Sequence, residues 1–186
     1  FLPEGMKTLP QILKEEGYFT FNLGKTDYNF VWELDKTYSK IKLKGQTDSW
    51  EILEQNQPFF IQLQTKGGKI NTKKLEEKRR TDPSKVTVPA DYPQNELYRK
   101  VVAQHCDAIR VDDDHIGRIL DGLKSSKLQE NTIVVYLSDH GANHLVRHKQ
   151  MPTEGGLHVP FVLMGPKKWV PAQGARHDLV STLDLT

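Results

Sequence analysis

Apolar positions recur at helical spacing in two stretches of the chain and run unbroken in several short ones. From Thr8, the residues Leu9, Ile12 and Leu13 share one face of a helix. Pro10 falls in its first turn, where the missing N–H costs nothing, and Gly17 is placed to end it. A short strand is predicted over Phe19 to Leu23, and the compact run Pro58-Phe59-Phe60-Ile61-Gln62-Leu63-Gln64, bounded by proline and by Gly67-Gly68, predicts a second. Residues 26 to 57 keep no steady period and read as long loops with short helical pieces. From Glu96 to Leu123, Val101, Val102, Ala108, Ile109, Ile116, Ile119, Leu120 and Leu123 recur at helical spacing, which predicts the longest helix, with a charged opposite face. Thr132 to Leu137 is β-branched and uninterrupted, the pattern of a strand covered on both sheet faces, and Pro160 to Met164 is another such run. Helices alternating with apolar strands predict an α/β sandwich whose central sheet is largely parallel.

Composition narrows the classes without choosing one. The 186 residues suit one domain with a hydrophobic core. Lys plus Arg number 26 against 24 Asp plus Glu, a net charge of +2 that argues against a nucleic-acid partner. A single cysteine, Cys106, excludes an internal disulfide framework, and no apolar run approaches the roughly 18 residues a membrane span needs. The first residues carry no signal-peptide pattern, and the last, Val180 to Thr186, stop within a periodic stretch; both ends are expected to be cuts through a longer chain. The basic segment 66 to 80 and the proline-punctuated segment 82 to 93 read together as a surface excursion.

The most informative chemistry lies where Thr132-Ile133-Val134-Val135-Tyr136-Leu137 ends in Ser138-Asp139-His140-Gly141. Ligands of open α/β sheets gather at the carboxyl ends of strands. Asp139 offers an oxygen and His140 a nitrogen to a divalent cation; alternatively Asp139 caps the following turn and His140 is an ordinary hydrogen-bonded histidine. Lys149 follows within Arg147-His148-Lys149-Gln150, and then Glu154-Gly155-Gly156-Leu157-His158-Val159-Pro160 leads into the next strand.

That order resembles the type I, formylglycine-dependent sulfatases of the alkaline phosphatase superfamily, in which a strand ending in Asp-His or Asp-Asn is followed by a loop lysine and a Glu-Gly-Gly turn before Val-Pro. Thr153 stands where tyrosine is usual. The start of the chain is similar to the same family, since Thr8 to Thr20 matches its helix-glycine-tyrosine-strand entry and Gly24-Lys25 its glycine-lysine motif, continued by Thr26-Asp27-Tyr28-Asn29-Phe30 where many relatives have histidine at Asp27. Residues 86 to 92, 112 to 123 and 179 to 185 follow the pattern too.

The resemblance implies an alkaline-phosphatase-like fold and a partial sulfatase catalytic domain over residues 1–186, without the first strand, the nucleophile segment and the C-terminal part. It implies a sulfuric-ester hydrolase, a sulfated small molecule or glycan as substrate, one divalent cation (calcium first, magnesium second) and a periplasmic or secreted parent. Lys25 and Lys149 are then the sulfate-binding and catalytic lysines, and Asp139 and His140 the metal ligands, all four meeting at one rim of the sheet. A sulfate ester builds charge on its oxygens in the transition state, and fixed cations of this kind stabilise it.

The departures matter equally. No Cys/Ser-x-Pro-x-Arg segment exists to supply formylglycine, so the chain alone is expected to be inactive. Cys106 lacks that context and reads as a packed residue. Asp112-Asp113-Asp114 point about 100° apart on a helix, cannot converge on an ion, and read as a solvated face. Where the family carries a histidine after the second strand, this chain has Thr65-Lys66-Gly67-Gly68-Lys69; Lys66 occupies that neighbourhood, and His144 and His148 are candidate replacements. Two other readings stay open: a phosphodiesterase or phosphonate monoester hydrolase of the same superfamily, and a non-catalytic relic that keeps the fold.

Overall fold

A computed structural model describes residues 2–41 and 50–185. The chain divides into two compact units, residues 1–64 with 172–186, and residues 65–171.

In the first unit, helix α1 (Leu9–Glu15) begins with the Thr8 amide donating to Gln11 Oε1 at 2.8 Å. It ends in a left-handed Gly17 (φ +87°), which lets the Tyr18 amide reach back to the Leu13 carbonyl at 3.0 Å. Strand β1 (Phe19–Leu23) follows, then a short helix α2 (Leu34–Thr37), a two-residue strand β2 (Lys40–Ile41), helix α3 (Trp50–Gln55) and strand β3 (Phe59–Leu63). The three strands form one parallel sheet in the order β2-β1-β3, with Phe19 opposite Phe59 and Leu23 opposite Leu63. Parallel neighbours joined through helices cover both sheet faces, so Thr20, Phe21 and Asn22 at the centre of β1 are fully buried. Phe21, Tyr38 and Leu53 are the largest apolar side chains in this core, and burial of each contributes about 1.5–3 kcal/mol. The fold class is as the pattern predicts. Strand β2 is the addition: two residues inside an aperiodic loop carry no periodic signal, and only pairing with β1 makes them a strand.

The second unit is built on helix α4 (Glu96–Ser125), whose first turn is capped by Asn95 accepting from the Tyr98 amide at 3.0 Å. Its buried line runs through Ala103, Asp107, Ala108, Asp112 and Leu123, while Ile109, expected inside, is exposed. Strand β4 (Val134–Leu137), helix α5 (Glu154–Leu157) and strand β5 (Phe161–Met164) complete the unit. β4 and β5 pair antiparallel, Val134 opposite Met164 and Leu137 opposite Phe161. β4 is therefore not covered on both faces, and Val135, Val162 and Leu163 are exposed. An unbroken β-branched run specifies a strand but not how many partners surround it.

The acidic face of α4 is not simply solvated, which corrects the expectation for Asp112-Asp113-Asp114. Asp112 is 1% exposed and accepts from the Thr65 hydroxyl at 2.9 Å. Asp114 holds Arg79 through two hydrogen bonds of 2.8 and 2.9 Å, and buried Asp107 accepts from the Thr81 amide at 2.7 Å with Arg80 3.8 Å away. The three consecutive aspartates do diverge, as helix geometry demands. Asp107, Asp112 and Asp114 hold the basic 65–85 segment along the helix through hydrogen bonds from Thr65 and Thr81 and an ion pair with Arg79. Among the described residues no helix is long and apolar enough to cross a membrane.

Candidate functional site

Lys25 lies just past the carboxyl end of β1, in the first unit. Its amide donates to Gln64 Oε1 at 2.9 Å, and its carbonyl accepts from Gln64 Nε2 and from Asn22 Nδ2, each at 3.1 Å. Three amide contacts from the ends of β1 and β3 thus fix the backbone of this residue. Gly24 is needed for that closeness, because a Cβ there would come within 2.6 Å of the Gln64 side chain. The lysine side chain is left 72% exposed, with Asp27 at 3.7 Å. Beyond it Tyr28, Phe30 and Trp32 form an aromatic cluster, Tyr28 stacked on Phe30 at 5.3 Å between ring centroids and Trp32 edge-on to Tyr28 at 5.2 Å. The Tyr28 and Tyr38 hydroxyls share a hydrogen bond, and burial holds the Tyr38 phenol well above its ordinary range.

In the second unit, three segments come together at the end of β4. The Ser138 amide continues the ladder by donating to the Pro160 carbonyl at 3.2 Å, and the Ser138 hydroxyl closes over the His140 carbonyl at 2.7 Å, so the chain turns sharply at Asp139. Gly141 then passes against the carbonyl of Gly155, closer than any side chain would permit. Gly156 is packed as tightly against the carbonyls of Met151 and His148. Backbone contact at these glycines ties the Asp139-His140 corner, the 147–151 loop and the start of α5 into one cluster. Thr153 closes the loop by donating its hydroxyl to the Arg147 carbonyl.

Lys149 sits between two residues of positive φ, Arg147 (+61°) and Gln150 (+65°). Neither is glycine, and each such conformation costs roughly 1–2 kcal/mol. The loop is further held by Tyr92, which donates to the Val146 carbonyl and stacks with His148 at 6.3 Å.

The His140 ring reports its own tautomer. Its Nδ1 lies 2.7 Å from the Gly141 carbonyl, which can only accept, so Nδ1 carries a hydrogen, and in the neutral ring the lone pair is on Nε2. That Nε2 is 3.6 Å from Asp139 Oδ1. Two donors bound to one hard cation at about 2.1–2.5 Å each would stand at a comparable separation, so the pair fits two positions of a coordination sphere. Asp139 is 86% exposed, open to an incoming ion. Among the described residues no group of three or more His, Cys, Asp or Glu side chains is arranged around a common point.

Two further residues near these segments, Lys69 and His105, stand in no recognisable motif. Lys69, on the turn after β3, is held below the ordinary lysine range, first by the neighbouring Lys149 and then by desolvation, with Asp139 acting in the opposite sense. His105, on α4, lies under the turn that carries Lys69, and burial first, then the charges of His148 and His144, hold it below the ordinary histidine range. A histidine interrupting an apolar stripe was the available clue. Cys106 beside it is a free, partly exposed thiol.

The family model described as Sulfatase matches residues 43–186. The chain is 22% identical to an ulvan-active sulfatase of Formosa agariphila, over 98% of this chain and 36% of that protein. It is 25% identical to the N-acetylgalactosamine-6-sulfatase of Canis lupus familiaris, over 99% of this chain and 44% of the relative. A 27% identity to an extracellular sulfatase SULF-1 homolog of Drosophila melanogaster covers 54% of this chain and 9% of the relative. The chain thus spans less than half the length of these relatives. No solved structure matches it.

Proposed function

The chain belongs to the sulfatase family, and from that premise we propose that it is the sulfate- and metal-binding part of a sulfuric-ester hydrolase acting on sulfated glycans. What supports the reading is that Asp139 and His140 form the corner at the end of β4, and that backbone contacts at Gly141 and Gly156 hold the strained loop carrying Lys149 in the same cluster. Asp139 and His140 would hold the divalent cation. A bound calcium or magnesium supplies a Lewis acid that polarises a sulfate oxygen.

Lys149 binds the sulfate oxygens as a fixed point charge, and Lys25, its backbone clamped by Gln64 and Asn22, is the second sulfate-binding lysine. No residue of the 186 stands in a Cys/Ser-x-Pro-x-Arg segment, so none of them is assigned as the nucleophile. The printed activities of the ulvan-active and N-acetylgalactosamine-6-sulfatases support a glycan substrate, and the extracellular relative supports a secreted or periplasmic setting.

The test compares an aryl sulfate with an aryl phosphonate monoester as substrates of the intact protein. Clear preference for the sulfate is expected. Preference for the phosphonate moves the protein to the phosphodiesterase-like branch, and hydrolysis of neither leaves a binding relic.

A further inference from the structure

Tyr28, Phe30 and Trp32 are each half-buried, while Asn29 and Val31 between them are exposed, so the three rings gather on one side of the segment that follows Lys25. Each keeps part of its surface in solvent. Tyr38, 1% exposed, anchors them. It meets Trp32 edge-on at 6.3 Å between ring centroids, shares a hydrogen bond with the Tyr28 hydroxyl, and donates its own hydroxyl to Gln62 Oε1 at 3.2 Å. The rings are thereby tied to strand β3 before any ligand arrives, which lowers the ordering cost of binding to them.

Two residues beyond Gln62, the Gln64 side chain clamps the Lys25 backbone at 2.9 and 3.1 Å. The same stretch of β3 therefore positions both the cation and the rings. Three residues of chain separate Lys25 from Tyr28, at most about 10 Å when fully extended. The Tyr28 amide donates to the Thr26 carbonyl at 2.8 Å, a tight turn that shortens this path. Asp27 stands within the turn, 3.7 Å from the Lys25 ammonium, and both side chains are exposed, so the pair leaves the lysine only partly neutralised. The Asp27 carboxylate is also an acceptor for hydroxyl groups.

A cation, a hydroxyl acceptor and a fixed aromatic surface match three features that a sulfated sugar carries together: an anionic ester, hydroxyl groups and the apolar C–H face of its ring. Inorganic sulfate would use Lys25 alone, and an apolar segment would leave the Lys25-Asp27 charges unmatched. We propose that Tyr28, Phe30 and Trp32 form a platform on which a pyranose ring of the sulfated glycan lies, beside the sulfate group bound by Lys25. This deepens the glycan reading and rests on it. Recognition of the apolar ring face distinguishes a sugar sulfate from an equally charged small anion.

The experiment titrates the intact protein by calorimetry with ulvan oligosaccharides, with N-acetylgalactosamine 6-sulfate and with sodium sulfate, and follows tryptophan fluorescence in parallel. At least one of the two sugars is expected to bind more tightly than inorganic sulfate and to change the emission, a change absent in Trp32→Phe. Phe30→Ala and Trp32→Ala are expected to weaken that sugar about tenfold without a matching loss for inorganic sulfate. Trp32→Phe is expected to retain most of the affinity, and Val31→Ser, on the opposite side of the segment, to change nothing. Where an alanine variant lowers the denaturation midpoint, the Trp32→Phe comparison decides: a sugar-induced emission change that survives it overturns the platform. Undiminished sugar affinity in both alanine variants, or equal losses for sugar and inorganic sulfate, overturns the platform and spares the glycan reading. A wild type that binds inorganic sulfate but neither sugar more tightly overturns the platform and the glycan substrate together, and binding of none of the three overturns the sulfate site as well.

Discussion

Gly141 lies against the carbonyl oxygen of Gly155 so closely that the two backbones leave no room for a Cβ. This one contact joins the end of β4 to the start of α5, and with it the Asp139-His140 corner to the loop that carries Lys149. Gly141→Ala must push the two segments apart at their backbones, where no flexible side chain can yield. The expected cost is about 1–3 kcal/mol, read as a lowered denaturation midpoint with unchanged slope, accompanied by loss of sulfate binding. An alanine variant as stable as the wild type would mean that the corner is not closed in solution.

The Thr65–Asp112 hydrogen bond makes a separate prediction. One oxygen of the buried Asp112 side chain accepts from Thr65 at 2.9 Å, and the other, Oδ1, is buried without a partner among the described residues. Thr65→Val keeps the shape and leaves both oxygens unpaired, at an expected cost of about 1–3 kcal/mol. Thr65→Ser, which keeps the hydroxyl, is expected to lose much less, and chemical denaturation of the two variants distinguishes a hydrogen-bond effect from a packing effect.

His105 links the site to acid stability. Its pKa in the folded protein is depressed by burial first, and by His148 and His144 second, below the ordinary value of 6.5. Between that lowered value and 6.5 the unfolded chain binds more protons than the folded one, so stability falls as pH drops through this window and levels off below it. His105→Gln is expected to remove this part of the acid loss. Denaturation midpoints of wild type and variant at pH 7.5 and 5.5 check it: parallel losses in both would assign the acid sensitivity to other groups.

Much of the scaffold was legible because its signals are local. The spacing of Leu9, Ile12 and Leu13 with Gly17, the run Phe59 to Leu63 and the periodicity of α4 each specify an element without reference to the rest of the chain. What escaped depends on partners far along the chain. Lys40–Ile41 is a strand only because β1 lies beside it, and Asp112 looks like a surface residue until Thr65 is brought over it. The exposed Val135 and Val162 show the same limit, since apolar sequence does not state how many neighbours a strand finds. At the site, Asp139, His140 and Lys149 were readable as an ordered motif. The packing of the Gly67-Gly68 turn on His105 was not, because it is a backbone event with no side-chain pattern.

The central claim is that a cation on Asp139 and His140 and an oxyanion on Lys149 occupy one site, so each must strengthen the other's binding reciprocally. Calorimetric titration of the intact protein with sulfate, with and without saturating calcium, measures this directly. Sulfate is expected to bind several-fold more tightly with calcium present. Asp139→Ala is expected to abolish that gain, and Lys149→Ala to weaken sulfate about tenfold or more under either condition. Sulfate affinity indifferent both to calcium and to Lys149→Ala would contradict the account.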